Sequence, residues 1–266
     1  VRLATWNVNS VRARLDRVLA WLERSDVDVL AVQETKCKDE QFPEQAFRDA
    51  GYEVAHHGLS QWNGVALLSR VGLEDVSTSF SPDVPHFGDP AVAEARAIGA
   101  TCGGVRVWSL YVPNGRGLDD PHYPYKLQWL EQLRAAGAGW LAEDPGAQVA
   151  LVGDFNVAPQ DEDVWDVDFF AGKTHVSEPE RAAFQALVDA GFADTVRPYA
   201  PGPGTYTYWD YTQLRFAKRQ GMRIDFVLGS PALQARVTGA TIDREERKGK
   251  GASDHAPVVV ELAPNA

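Results

Sequence analysis

Val149-Ala150-Leu151-Val152-Gly153-Asp154-Phe155-Asn156 is the stretch on which the reading of the chain turns. It is a short apolar run, rich in strand-forming residues, that breaks off into glycine, a carboxylate and an amide. A rigid strand ending in such side chains can hold them toward one point in space. The same pattern recurs outward in both directions. Leu3–Val8, Val27–Glu34, Gly64–Arg70, Val105–Val112, Thr205–Tyr211, Arg223–Leu228 and Pro257–Leu262 also read as strands, together with Val149–Phe155.

Between them lie helical segments. Val11–Arg24 carries Val11, Leu15, Val18, Leu19 and Leu22 at helical spacing, with Ser10 as its expected N-cap. Residues 124–143 place Leu127, Leu130, Leu133, Trp140 and Leu141 on one face. A third helix over 179–190 is announced by the capping box Ser177-Glu178-Pro179-Glu180 and stopped by Gly191. No repeat, low-complexity tract or linker divides the chain, so one domain over 1–266 is expected. Short strands alternating with helices predict an α/β fold of packed sheets covered by helices; strand direction stays open.

Composition narrows the class. Apolar residues make up 44%, which argues against wholesale disorder. No window approaches the ~20 apolar residues of a membrane span, and the first residues lack a signal-peptide core. Cys37 and Cys102 are expected to be reduced, and two thiols cannot build a zinc cage. A cytoplasmic monomer follows as the expectation. The net charge of −11 speaks against a sequence-independent DNA coat. However, residues 211–250 concentrate Arg215, Lys218, Arg219, Arg223, Arg236, Arg244, Arg247, Lys248 and Lys250, a basic face on an acidic body.

The polar residues at strand ends are the candidates for chemistry. Asn7 and Asn9 follow the first run, Glu34 ends the second, and Tyr111 and Asn114 follow Val107–Leu110. Asp154 and Asn156 follow Val149–Gly153, Asp225 lies inside an apolar run, and Asp254-His255 precedes Pro257. Singly, each also reads as a turn residue or salt-bridge partner. Together they are costly to bury without a cation or substrate. Glu34, Asp154 and Asp254, with amide oxygens from Asn7 or Asn156, suit Mg²⁺ or Mn²⁺. His255 is the one well-placed imidazole, whereas adjacent His56 and His57 would face opposite ways on a strand. Neither Gly58-Leu59-Ser60 nor Ser253-Asp254-His255 has the glycine pattern of a nucleophilic serine.

Six segments in order carry a resemblance: Thr5-Trp6-Asn7-Val8-Asn9, Gln33-Glu34-Thr35-Lys36, Tyr111-Val112-Pro113-Asn114, Gly153-Asp154-Phe155-Asn156, Arg223-Ile224-Asp225-Phe226 and Ser253-Asp254-His255-Ala256-Pro257. Over nearly its whole length the chain resembles the exonuclease III family of abasic-site DNA repair endonucleases. The resemblance implies a four-layer sandwich of two mostly antiparallel β-sheets flanked by helices, with the site at one edge. It implies Mg²⁺-dependent cleavage of duplex DNA 5′ to abasic sites, with 3′-to-5′ exonuclease and 3′-phosphodiesterase activity. Glu34 and Asn7 would then hold the metal, and Asp254 would bind it or a second ion. Asp154 would activate water, and Asn156 would fix that water and stabilise the transition state. His255, bonded to Asp225, would contact the phosphate, with Tyr111 beside it.

The resemblance also places a pocket for a base-less sugar near Thr205–Tyr211, walled by Tyr208 or Trp209 with Met222 and Ile224. Arg116 would insert into or contact DNA, and Asn114 would donate toward an oxygen. Two other readings remain: the same chemistry on inositol phosphates, sphingomyelin or RNA, and a nucleic-acid-binding regulator without catalysis. The second predicts loss of a residue such as Glu34 or Asp154, and all are present.

Overall fold

The computed structural model describes residues 1–265 and contains two six-stranded sheets. In chain order the elements are β1 (Arg2–Asn7), α1 (Leu15–Ser25), β2 (Val29–Gln33), α2 (Glu44–Asp49), β3 (Glu53–His57), β4 (Val65–Ser69), β5 (Glu74–Ser77), β6 (Ala97–Cys102), β7 (Val105–Tyr111), α3 (His122–Glu143), β8 (Val149–Asp154), α4 (Glu178–Asp189), β9 (Ala193–Asp194), β10 (Asp225–Gly229), α5 (Pro231–Gln234), β11 (Val237–Ile242) and β12 (Val258–Leu262). One sheet runs β11-β12-β1-β2-β4-β3 and the other β5-β6-β7-β8-β10-β9. Each contains one parallel pair, β1 with β2 and β7 with β8, each pair joined through a helix.

The sheets pack face to face. Leu3, Val29, Ala31 and Leu67 of the first meet Ile98, Val107, Ala150, Val152 and Val227 of the second in an apolar interior. Alternate residues point outward: Trp6, Leu30 and Val32 bury against Val18, Trp21 and Leu22 of α1. Trp108, Leu151 and Phe226 bury against Trp129 and Leu133 of α3 and Phe184 and Leu187 of α4. Each such buried side chain contributes roughly 1.5–3 kcal/mol. The result is the four-layer α/β sandwich that the resemblance implies. Because both faces of the central strands are covered, their sequences read as continuous apolar runs.

Several local expectations are corrected. Thr205–Tyr211 is not a strand; Tyr208 makes isolated bridges to Met222 and to His255, and the aromatic side chains pack instead of lining a ladder. Ser10 does not cap α1, which starts at Leu15; its hydroxyl accepts from the Ala13 N–H in a turn one step earlier. Ser177 is the N-cap residue of α4, but the capping box does not form. Glu180 instead turns to Lys126 and to the His175 N–H, and Ser177 pairs with the Tyr123 hydroxyl. Of the face expected for α3, Leu130 and Leu133 are buried while Leu127, Trp140 and Leu141 are half-buried; the buried side also carries Tyr125, Lys126 and Trp129, a lysine among aromatic and apolar residues. Strands β3, β5, β6, β9 and β11 carry no run that the sequence pattern singled out.

The basic segment is also reinterpreted. Arg223 is buried in a two-pronged pair with Asp194, at 2.6 and 2.9 Å. Arg236 bonds the Ala263 carbonyl, and Arg247 bonds that of Trp209. These three hold the fold together and offer no charge to a ligand.

Candidate active site

Strand register gathers the polar residues at one end of the sandwich. Asn7 ends β1 and pairs with Gln33, so Glu34 follows immediately beside it. In the second sheet Tyr111 pairs with Asp154, and Asp154 with Asp225, placing three functional groups on adjacent strands at one level. Gly153 makes this possible: it sits at φ +142°, and a Cβ there would lie 1.9 Å from the Leu110 carbonyl oxygen. Glu34 and Asn156 adopt left-handed backbone, φ 52° and 50°, which turns each away from its strand direction.

The two sheets meet through Asn7. Its Nδ2 donates to Glu34 Oε1 at 2.8 Å and to Asp154 Oδ2 at 3.0 Å. Glu34, Asp154 and His255 can each offer a ligand atom, all within 4.8 Å of one another. Asp254 stands at the same cavity, with a buried Oδ1 that no protein group satisfies. The carboxylates of this set, with an orphaned buried carboxylate oxygen on Asp254, fit a hard divalent cation. The cavity, about 170 Å³, is lined by Glu34, Tyr111, Asp154, Asn156, Asp254 and His255, among others.

Electrostatics separates the roles. Burial pushes the Asp154 carboxyl up to about 7, against the pull of the His255 imidazole and with the push of Asp225 and Glu34. Burial alone would lower His255, but the Asp225 and Asp154 carboxylates hold it well above its ordinary value. His255 Nδ1 lies 2.8 Å from Asp225 Oδ2, and its Nε2 lies 3.6 Å from Asp154 Oδ2. It is therefore an imidazolium facing a carboxylate. Burial also keeps the Tyr111 phenol protonated, reinforced by Glu34.

The expected wall is present in part. Tyr208, Met222 and Ile224 line the cavity. Trp209 does not: it is buried on the other side, packed with Tyr206, Phe216 and Ala256, because Trp209 N–H bonds Asp254 and turns its ring into that cluster. Asn114 reaches Asn156 Oδ1 at 3.4 Å through its Nδ2. Arg116 lies on the adjacent loop, its guanidinium over the Phe87 ring at 5.1 Å.

His175 is the residue that the sequence reading missed. It is half-buried in the cavity wall, and desolvation, with Lys126 adding, pushes it down to about 3. Its Nε2 lies 3.2 Å from Asn156 Oδ1, which can only accept and so calls for the proton on Nε2, while its Nδ1 meets the Thr174 hydroxyl at 3.0 Å. No motif surrounds it; only its place just ahead of α4 hinted at order. Lys126 was missed too, since a lone lysine on an apolar helix face reads as surface. Burial pushes its ammonium down to about 8, with Glu180 opposing.

Behind the 114–116 loop, His122 Nδ1 accepts the Gly115 N–H at 2.9 Å, and burial, aided by Arg116 and Arg96, pushes this imidazole down to about 4. A folded-state value below the unfolded one means that the unfolded chain binds the extra proton first. The stabilisation is whole above about pH 6.5 and drains away toward pH 4, in total on the order of 3 kcal/mol. The unfolding free-energy gap between the protein and His122→Asn, which keeps an acceptor but no titrating group, should therefore narrow from pH 7 to pH 5 by about 2 kcal/mol. A constant gap in denaturant titrations would refute the neutral assignment.

The chain is 30% identical to an exodeoxyribonuclease III of Haemophilus influenzae, covering 98% of this chain and 100% of that one. A 3′-5′ exonuclease from Neisseria meningitidis superposes with TM-score 0.92 at 37% identity, covering 99% and 100% of the two chains. An AP endonuclease from Archaeoglobus fulgidus does so at 0.90 and 35%, covering 98% and 99%. The profile of the Endonuclease/Exonuclease/phosphatase family matches residues 4–255, and the chain belongs to that family.

Proposed function

We propose that the protein is a divalent-metal-dependent DNA repair phosphodiesterase acting on duplex DNA, 5′ to abasic sites and at blocked 3′ ends. The observation that carries this reading is the convergence of Glu34, Asp154 and His255 on one small cavity, with Asn7 tying the two carboxylates together. Glu34 and Asp254 would hold Mg²⁺ or Mn²⁺, with Asp154 and Asn156 within reach of it; Asn7, whose Nδ2 donates to Glu34 and Asp154 while its Oδ1 accepts the Asn9 N–H, would orient those carboxylates rather than bind the ion. When bound, the ion supplies positive charge against the non-bridging phosphate oxygens.

The remaining work falls to the chain. Asp154, poised near neutrality, takes the proton from an attacking water. Asn156 spends one N–H on the Val112 carbonyl at 2.9 Å and keeps a second for the water or phosphate. The His255 imidazolium faces the phosphate, its charge maintained by Asp225. Tyr111 presents a protonated hydroxyl toward the same group. Tyr208, Met222 and Ile224 form the apolar wall for a sugar without its base, which costs less to extrude than a paired nucleotide. Arg116 and Asn114 face the DNA from the loop. Two free, buried cysteines fit a reducing compartment, the cytoplasm.

His175 favours a second reading, in which terminal 3′ processing outweighs internal incision. Its ring lines the cavity that an extruded sugar would enter. A relative of the same shape, at TM-score 0.92 and 36% identity, is a 3′ phosphatase from Neisseria, seen with a product DNA hairpin. One assay separates the two: duplexes bearing either an internal abasic analogue or a 3′-phosphate, incubated with Mg²⁺ and with chelator. Mg²⁺-dependent incision supports the first reading, and 3′-phosphate release alone supports the second, in which case His175→Ala should restore incision. Neither product would refute both.

A further inference from the structure

The mechanism leaves one fully buried charge unused. Lys126 and Glu180 are both without solvent exposure and lie 3.3 Å apart, Nζ to Oε2. The same ammonium donates to the Asn156 carbonyl at 2.6 Å and to the Asn114 carbonyl at 3.1 Å. Those carbonyls belong to the two loops that leave β7 and β8 and carry the cavity's amides. Glu180 Oε2 also accepts the backbone N–H of His175, whose ring returns to Asn156 Oδ1. The four residues close a ring, Asn156 to Lys126 to Glu180 to His175 and back.

A buried ion pair is a poor source of net stability, because desolvation offsets much of its attraction. Its value lies in direction. An ammonium has three donors and no acceptor, so satisfying it here requires two carbonyls and one carboxylate in a fixed arrangement. Past β7 and β8 the two loops touch through the side chains of Asn156, which donates to the Val112 carbonyl, and Asn114, which donates to Asn156 Oδ1, while Lys126 bridges their main chains at Asn114 and Asn156. The Asn156 backbone, in left-handed conformation at φ 50°, is thereby held at both ends, its N–H by Asp154 Oδ1 at 3.0 Å and its carbonyl by Lys126.

We propose that Lys126 is a positioning residue for the reaction: anchored by Glu180, its ammonium ties the Asn114 and Asn156 carbonyls together and so sets the aim of the Asn156 amide. This rests on the reading of Asn156 as a group that touches the water or phosphate. Removing one charge alone would strand the other, so the test removes both, as Lys126→Gln with Glu180→Gln. With a 3′-phosphate or abasic duplex, kcat should fall about 10²-fold, the scale expected for misplacement of a reacting group by about 1 Å. KM, and DNA affinity measured in chelator, should stay within about twofold.

The decisive step repeats the pair in an Asn156→Ala background, where it should cost less than about twofold further, since coupled residues are non-additive. A 10²-fold loss in both backgrounds overturns the proposal, because Lys126 then acts elsewhere. No loss in the first background overturns it as well, the bridge being dispensable. If Asn156→Ala alone leaves kcat unchanged, the reading of Asn156 falls and takes the proposal with it. Should the neutral pair fail to fold, Glu180→Asp withdraws the anchor by one methylene while keeping its charge. It should lower kcat and add nothing in the Asn156→Ala background.

Discussion

Asp154→Asn should lower kcat by about 10²–10⁴-fold while leaving DNA affinity within a few-fold, the range that a positioned general base contributes. The amide is the same size and can still accept the Asn156 N–H that Asp154 Oδ1 now takes at 3.0 Å. It cannot take a proton from water. The substitution should also leave thermal stability equal or higher. Asp154 is buried against Asp225 and Glu34, and burial with that repulsion outweighs the pull of His255. Removing a carboxyl whose folded value is raised forfeits no stability at pH 7. Single-turnover cleavage, equilibrium binding in chelator and a melting curve together check the claim. Turnover like that of the parent protein would place the base elsewhere, and a lowered melting temperature would show Asp154 to be structural.

Chelation should abolish cleavage, and Glu34→Gln should raise the Mg²⁺ concentration needed for half-maximal rate by at least about tenfold. Glu34 offers its oxygens to the same point as Asp154 and His255, while Lys36 Nζ, 3.3 Å from Oε2, partly neutralises it in the free protein. Binding can be followed without catalysis. An ion that binds the folded protein alone stabilises it by about 2.7 kcal/mol at a hundred times its dissociation constant. Mg²⁺ or Mn²⁺ should therefore raise the melting temperature of the parent protein and much less that of Glu34→Gln. Equal shifts in both would remove Glu34 from the ion site.

Some of this was legible in the sequence and some was not, for physical reasons. Strands that end in a functional residue announced themselves, because covering both faces makes the run apolar and the catalytic group breaks it abruptly. Edge strands such as β3 and β5 lack that contrast: β5 reads Glu74-Asp75-Val76-Ser77 and is largely exposed. Thr205–Tyr211 had the composition of a strand without its partners. The aromatic residues there serve packing, and Thr207 Oγ1 spends its acceptor capacity on the Ile224 and Asp225 N–H groups. That contact places Asp225 opposite Asp154, yet a threonine amid tyrosines gives no sign of it.

The carboxylates, amides and terminal histidine of the site were named from their sequence setting; Glu34, Asn114, Asp154, Asn156, Asp254 and His255 line one cavity, and Asn7 and Asp225 stand behind it, hydrogen-bonded to Glu34, Asp154 and His255. What stayed hidden were side chains whose meaning comes only from burial. Trp209 looked like pocket wall and proved to be core, Arg223 looked like phosphate binder and proved to be an internal strut, and Lys126 and His175 had no motif at all. A buried lysine has the same letters as a solvated one.

The placement of β12 between β11 and β1 has a consequence for the order of events during synthesis. The last strand of the chain inserts beside the first, and His255 arrives only with it. Glu34 and Asp154 hang from different sheets, so no half of the molecule carries a complete constellation. Without residues 254–262, β1 has no neighbour on that side and the cavity lacks the Asp254 carboxylate and the His255 imidazole. The constellation is complete only once β12 has closed the first sheet between β11 and β1.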